Sequence, residues 1–389
     1  MFAERYKNRL MIQKTTGLYR NPPVVSTKEG KYLLMGGRRV LNFASNDYLG
    51  LSISGEMRQK AARNFQKYGT SSSSSRLVSG NYSIINEAEK AYALYFGYND
   101  TLFFPSGYQA NMGVLSTFLE QGDTVIFDKH IHASSVKGVT MSGADFYGYN
   151  HNSMSHLEKR LKTYGNGQVA VLTESIFSMD GDVLDADGLK KLKDHYGFLT
   201  IVDEAHAFGA AGLEGRGLAG SVADIAVGTF GKAFGFFGAF VLLPEGFKEY
   251  LFNFSSPLIY TTTLPEAHAA TALDILEIIE RSEDRRKDVR GISQYMREGL
   301  RREGFQVTGN AHILALAVGD EEKTVKLSRR LLENDIFVLP ARYPTVPLSH
   351  AILRISLTAL LEEEDVKSFI DNLKEANSKF ETKGGISPR

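Results

Sequence analysis

The sequence contains no cysteine. That absence removes disulfides, thiolate metal sites and thiol nucleophiles, and it suits a reducing compartment, so the cytoplasm is the expected location. Neither charge is in excess: 45 Lys and Arg balance 45 Asp and Glu, and no overall field draws the chain to nucleic acid or an anionic membrane. Any anion it binds must be held locally. Long apolar runs are missing too. The longest, Phe234 to Leu243, is short and broken by glycine, and the opening MFAERYKNRLMIQKTT lacks the apolar stretch of a signal peptide. Neither a membrane span nor a targeting segment is expected.

What is present is an ordinary globular composition, 43% hydrophobic and 23% charged, over 389 residues. That length exceeds what one hydrophobic core usually supports, so a large domain and a smaller one are expected. Apolar runs ending in Gly, Ser, Asp or Asn alternate with amphipathic stretches, which is the α/β pattern. The runs predict strands near Thr101–Phe104, Thr124–Phe127, Val169–Thr173, Phe198–Val202, Ile225–Gly228 and Ala239–Leu243. A helix is predicted over Ala186–Tyr196, stopped by Gly197. From Pro265 to Arg301 the spacing reads as one long charged amphipathic helical stretch. Beyond it, HILALAV, IFVLP, ILRISLT and two helices suggest a compact α+β unit. The expected division is an N-terminal segment over 1–45, a large domain over 46–285 and a small C-terminal domain over 286–389.

In open α/β sheets ligands gather at the carboxyl ends of the strands, so polar residues just after apolar runs come first. FLTIVDEAHAFG delivers Asp203, Glu204 and His206 to such an edge, where a carboxylate can bind metal, act as a base, pair with a cation or simply cap a turn. DIAVGTFGKAFGFFG ends a strand in a Gly-rich turn carrying Thr229 and Lys232. A lysine among small and apolar residues loses solvation, its pKa falls, and it becomes able to form an imine, although most lysines are solvated. FFPSGYQAN places Gly107 and Tyr108 at a helix start, where backbone N–H groups suit a phosphate. FDKHIHAS offers His130 and His132, but with no HExxH or cysteine partner the pair carries no metal signature, and a ring stacked on a cofactor is the better functional reading.

Taken together, SGY, HAS, a strand-end DEAH and TFGK, with Lys232 lying 29 positions after Asp203, resemble the α-oxoamine synthases, a family of fold-type I pyridoxal-phosphate (PLP) enzymes. The likeness runs from NFASNDYLGLS through ESIFSMDGD and LIYTTTLP to PTVP and LRISLT. It implies an α/β PLP-dependent transferase fold, with a large mostly parallel sheet domain and a smaller α+β domain. It implies that Lys232 holds the cofactor as an imine and moves the α-proton, that Asp203 keeps the pyridine nitrogen protonated, and that His132 stacks on the ring. Ser178 and His206 match contacts to the phenolic oxygen. Gly107, Tyr108 and Thr229 match further cofactor contacts, and Thr261 and Thr262 match residues reaching the phosphate of the other subunit, so a homodimer is expected. Arg354 resembles the arginine that pairs with the amino acid's carboxylate. Asn46 and Glu174 match other substrate-site positions, Ser356 stands where a substrate-contacting threonine is usual, and Arg20 matches an arginine near the acyl region. Amino acid and acyl thioester, on CoA or a carrier protein, are the implied partners, with no metal.

Within the family, SNDYLGLS, TESIFSMDGD and ARYPTVP fit the branch that condenses L-alanine with a pimeloyl thioester in biotin biosynthesis. Relatives using glycine, serine or longer acyl groups are the alternatives, and a non-catalytic PLP-fold binding protein is a more distant one. A Rossmann-type nucleotide binder is excluded for want of GxGxxG after a strand. The departures from the family pattern are the serine run Ser71–Ser75, Asn86 in place of histidine, Phe208, and the pair Phe236 and Phe237, whose bulk bears on the shape of the acyl site.

Overall fold

A computed structural model describes residues 2–381. The chain divides into a large compact unit, Leu49–Ser178 with Val183–Lys287, and a small one, Met1–Tyr48 with Met179–Asp182 and Asp288–Arg389. Among the described residues, no helix is long and apolar enough to cross a membrane.

The large unit is built on seven strands, numbered here in chain order: β1 (Asp100–Phe104), β2 (Thr124–Asp128), β3 (Asp145–Tyr149), β4 (Val169–Glu174), β5 (Leu199–Asp203), β6 (Ile225–Thr229) and β7 (Ala239–Leu243). Their order across the sheet is β1-β7-β6-β5-β4-β2-β3. Only β7 runs against its neighbours. Successive side chains of a strand point to opposite faces, and here both faces are covered. Leu172 and Ile201 join one core with Val114 and Leu115, while Val171 and Val202 join another with Leu157 and Leu189. Each such fully buried aliphatic side chain is worth about 1.5–3 kcal/mol. The first core lies under helices α1 (Gly107–Phe118) and α2 (Ala133–Ser142), the second under α3 (Ala186–Tyr196). Helix α3 starts where the Asp185 side chain accepts from Gly188 N and ends at Gly197, whose φ of 69° is the left-handed conformation a side chain would resist.

The predicted helical stretch from Pro265 is two helices, Glu266–Glu280 and Glu283–Arg302. The break has a local cause. Ser282 turns its hydroxyl onto Ile278 O at 2.6 Å, and the fully buried guanidinium of Arg286 fills the gap. It donates to Ile279 O at 2.8 Å, Glu280 O at 3.3 Å and Gly209 O at 3.4 Å, and its Nε pairs with Glu283 at 2.7 Å. Carbonyls that a continuous helix would have used are satisfied by one planar fork.

In the small unit, four antiparallel strands run in the order Val307–Thr308, Ile313–Gly319, Ala351–Ser356, Leu339–Ala341. Leu314, Leu316, Leu353 and Ile355 form its core with Val366 and Phe369 of the Glu363–Glu381 helix. The N-terminal residues belong to this unit: strand Arg38–Asn42 runs parallel to Ile336–Phe337, and Phe43 packs against Phe369 with ring centroids 4.7 Å apart.

Arg286→Ala is expected to cost about 3 kcal/mol, because it removes the donors to Ile279 O, Glu280 O and Gly209 O and leaves a void. A urea midpoint lowered at unchanged slope would register this, and Arg286→Lys should restore less than half, since an ammonium cannot span the same carbonyls.

Candidate active site

Because the strands are mostly parallel, their carboxyl ends fall on one edge of the sheet. Glu174, Asp203 and Thr229 are the last residues of β4, β5 and β6, and the segments after β1, β2 and β6 supply Gly107, His132 and Lys232. These side chains line one cavity of about 210 Å³ together with Tyr108, Ser178 and His206. Nine of the residues singled out in the sequence are thus brought together within the large unit.

Asp203, 8% exposed, is held at both oxygens. Ala205 N donates to Oδ1 at 2.9 Å and Asn111 Nδ2 to Oδ2 at 2.8 Å. The same Asn111 amide donates to Ser134 Oγ at 3.0 Å, and Ser134 Oγ meets His132 Nδ1 at 2.7 Å. Ser134 N also donates to that Nδ1, at 3.3 Å, so Nδ1 is the acceptor and the ring proton sits on Nε2. Burial holds the His132 imidazole below its ordinary pKa, with Lys232 acting in the same sense and Asp203 against it. A neutral, oriented ring results. Asn111 and Ser134 were missed in the sequence; the available signal was an asparagine on the buried face of α1, beside Ala110, Val114 and Leu115.

Lys232 sits half-buried in the turn joining β6 to β7. The turn is closed by Thr229 Oγ1, which donates to Gly238 O and accepts from Gly231 N, both at 3.1 Å. Gly235 is required there: its φ is 65°, and a Cβ would lie 2.4 Å from Ser52 N. On the other flank, Ser106 caps α1 by accepting from Gln109 N, and the first-turn N–H groups of Gly107 and Tyr108 are left for an anion. Glu174, 2% exposed, accepts from Ser178 N at 3.3 Å through Oε2, whereas its buried Oε1 makes no hydrogen bond among the described residues.

Thr261 and Thr262 do not line this cavity. They follow the Ser256–Ile259 helix in a segment stitched to the serine run, where Thr263 N donates to Ser74 O at 2.9 Å and Ser72 Oγ to Thr263 O at 2.8 Å. Phe208 is also elsewhere, 3% exposed and packed on Phe96 at 4.5 Å, and Phe236 and Phe237 pack against His268. Asn86 accepts from Arg76, which forms a buried ion pair with Glu89.

The small unit gathers a second polar group. Arg354, 4% exposed, donates to Ser356 Oγ at 2.6 Å and to Asn46 Oδ1 at 3.4 Å, and Tyr48 OH donates to the same Asn46 oxygen at 3.1 Å. Burial pushes the Tyr48 phenol up to about 12, opposed by Arg354. Arg20 lies apart from these residues. It is exposed, and it lines a cavity of about 480 Å³ with Arg329, Arg342, Leu332 and Phe337.

The donor set of the 210 Å³ cavity fits pyridoxal phosphate: an amine for its aldehyde, a buried carboxylate for its ring nitrogen, a neutral imidazole for its ring face and helix N–H groups for its phosphate. The unfilled Glu174 oxygen calls for a polar ligand as well.

Comparison with known proteins agrees. The pattern of the family described as aminotransferase class I and II matches residues 38–373. A Bacillus cereus (strain Q1) protein provisionally named 8-amino-7-oxononanoate synthase is 38% identical over 362 residues, covering 91% of this chain and 92% of that one. Among solved structures, Sphingomonas wittichii serine palmitoyltransferase superposes with a TM-score of 0.90 at 28% identity, covering 97% of each chain. The 8-amino-7-oxononanoate synthase of Francisella tularensis does so with a TM-score of 0.76 at 30% identity, covering 88% of this chain and 99% of its own. The chain belongs to the α-oxoamine synthases, the pyridoxal-phosphate-dependent acyltransferases of fold type I.

Proposed function

We propose that this enzyme condenses L-alanine with a pimeloyl thioester, releasing CO2 and the free thiol and giving 8-amino-7-oxononanoate, a step of biotin biosynthesis. The observation that carries the reaction class is the convergence of Lys232, Asp203 and His132 on one cavity. The choice of substrates is supported by the names of the Bacillus and Francisella relatives. The TM-score of 0.90 to serine palmitoyltransferase supports a second reading, in which serine and a long-chain thioester are the substrates.

When bound, pyridoxal phosphate supplies an electron sink for the pair left on the amino acid's α-carbon. Asp203, fixed by Asn111 and Ala205 N, holds the proton at the ring nitrogen on which that sink depends. His132, a neutral imidazole, would cover one ring face without adding charge. Gly107, Tyr108 and Thr229 take the phosphate, helped by Thr261 and Thr262 of a second subunit in a homodimer. The amine of Lys232 would hold the cofactor between turnovers, and would take the proton from the α-carbon and return it after CO2 has left. Arg354, with Ser356 and Asn46, takes the amino acid's carboxylate, and Arg20 serves the acyl group. The new bond joins the α-carbon to the thioester carbonyl carbon, and the thiolate is the leaving group, whether CoA or carrier protein delivers it.

Lys232→Ala is expected to lose the visible absorbance of the lysine-bound cofactor and all turnover; a variant that kept both would remove the basis of this reading. Arg354→Ala should weaken amino-acid binding about 10- to 100-fold, the worth of ~1.5–3 kcal/mol for a charge-assisted pair, and an unchanged spectral titration would assign the carboxylate elsewhere. The substrates themselves are settled by product analysis over glycine, L-alanine and L-serine against thioesters of graded length. Preference for alanine and the pimeloyl group is expected, whereas preference for serine and a long acyl chain would replace the first reading by the second.

A further inference from the structure

Glu174 and Asp203 are direct register partners on the adjacent parallel strands β4 and β5, so two buried carboxyl groups leave the sheet side by side. Their surroundings differ. Asp203 accepts from an amide and a backbone N–H, at 2.8 and 2.9 Å, while Glu174 accepts one longer bond, from Ser178 N at 3.3 Å. Glu174 lines the cavity, and its buried Oε1 makes no hydrogen bond among the described residues. Two like charges this close and this buried are unfavourable, and the proton goes to the group with fewer donors. Burial, followed by the Asp203 charge, raises the Glu174 carboxyl well above the usual carboxylate range, against the pull of Lys232 and of the backbone N–H groups of His132 and Ser178.

The order of the strands says what that proton meets. Gly107 and Thr229 follow or end β1 and β6, which lie on one side of β5, and Glu174 ends β4 on the other side. Pyridoxal phosphate carries its phosphate arm and its phenolic oxygen on opposite flanks of the carbon that joins the lysine. With the phosphate at Gly107 and the ring nitrogen at Asp203, the phenolic flank turns toward β4. We propose that Glu174 is a hydrogen-bond donor to the cofactor, its protonated carboxyl directed at the phenolic oxygen, and not a charged contact for the substrate. This assignment rests on the cofactor reading above. It also explains how a glutamate is tolerated there, since a carboxylate facing a phenolate would repel it, whereas a neutral acid draws the phenolate's electrons and loosens the proton on the neighbouring lysine nitrogen.

The test is the midpoint pH at which the visible absorbance of the lysine-bound cofactor switches, measured on the full-length holoenzyme. Glu174→Gln keeps a donor and should leave the midpoint within about 0.3 units of the wild type, while Glu174→Leu removes it and should raise the midpoint by about one unit, a tenfold change in proton affinity. A fall of a unit or more in the glutamine variant means Glu174 is ionised and overturns the proposal. So does an unmoved midpoint in the leucine variant. Should the leucine variant not fold, the infrared difference spectrum on cofactor loading decides: a protonated carboxyl C=O stretch present in the wild type and missing in Glu174→Gln sustains the assignment, and its absence from the wild type refutes it. Failure of the cofactor reading looks different, because the wild type would then show no lysine-dependent visible band at all.

Discussion

The site depends on one hydrogen bond, from the Asn111 amide to the Asp203 carboxylate at 2.8 Å. Asp203 is the end of a strand buried on both faces, and a carboxylate there is stable only if donors replace the water it has lost. Asn111 does this from α1 while its second N–H orients Ser134, and Ser134 in turn fixes the tautomer of His132. One amide therefore couples Asp203 to His132. The same arrangement decides where the neighbouring proton resides, because the donors spent on Asp203 are those that Glu174 lacks.

Rigidity follows from where these groups are mounted. Asp203, Glu174 and Thr229 are terminal residues of strands whose preceding side chains are fixed in two opposed cores, so a shift of one carboxylate would have to move Ile201, Val202 or their neighbours against close packing. Lys232 is mounted differently, on a turn held by Thr229 and by the close approach of Gly235 to Ser52. That difference suits the chemistry. The residue proposed to link, detach and move a proton sits on a loop, and those proposed to hold the cofactor in place sit on the sheet.

Much of this was legible in the sequence because the central strands are buried on both faces and so read as continuous Val, Ile and Leu runs. AFVLL and IAVGT are examples, and the end of α3 followed from Gly197. The edge strand β3 was not legible, since DFYGY is mostly exposed or half-buried and carries a glycine. The attachment of residues 38–42 was also hidden: its partner, Ile336–Phe337, is almost 300 residues away and only two residues long. The break at Ser282 escaped because periodicity continues across it, and the residue that stabilises the break is an arginine, ordinarily read as surface. In the site, the strand-end rule exposed Asp203 and Lys232, but Asn111 lies inside a helix where that rule does not look. Glu174 ends a strand too, yet its protonation depends on a partner one strand over, which only the pairing of β4 with β5 reveals.

The aromatic departures change meaning once placed. Phe208 packs against Phe96 and Phe240 in the interior of the large unit, and Phe236 and Phe237 close around the buried His268, whose imidazole burial holds down to about 4. None of the three lines the 210 Å³ cavity, so within that cavity their bulk acts only through the scaffold that they pack. The serine run is different. Its hydroxyl and carbonyl groups hold Thr263 directly, and Gly80 comes so near that a Cβ would lie 2.7 Å from the Thr263 methyl. Substitution in that run acts on the segment carrying Thr261 and Thr262, and it is there, rather than among the phenylalanines, that departure from the family pattern touches residues assigned to the cofactor.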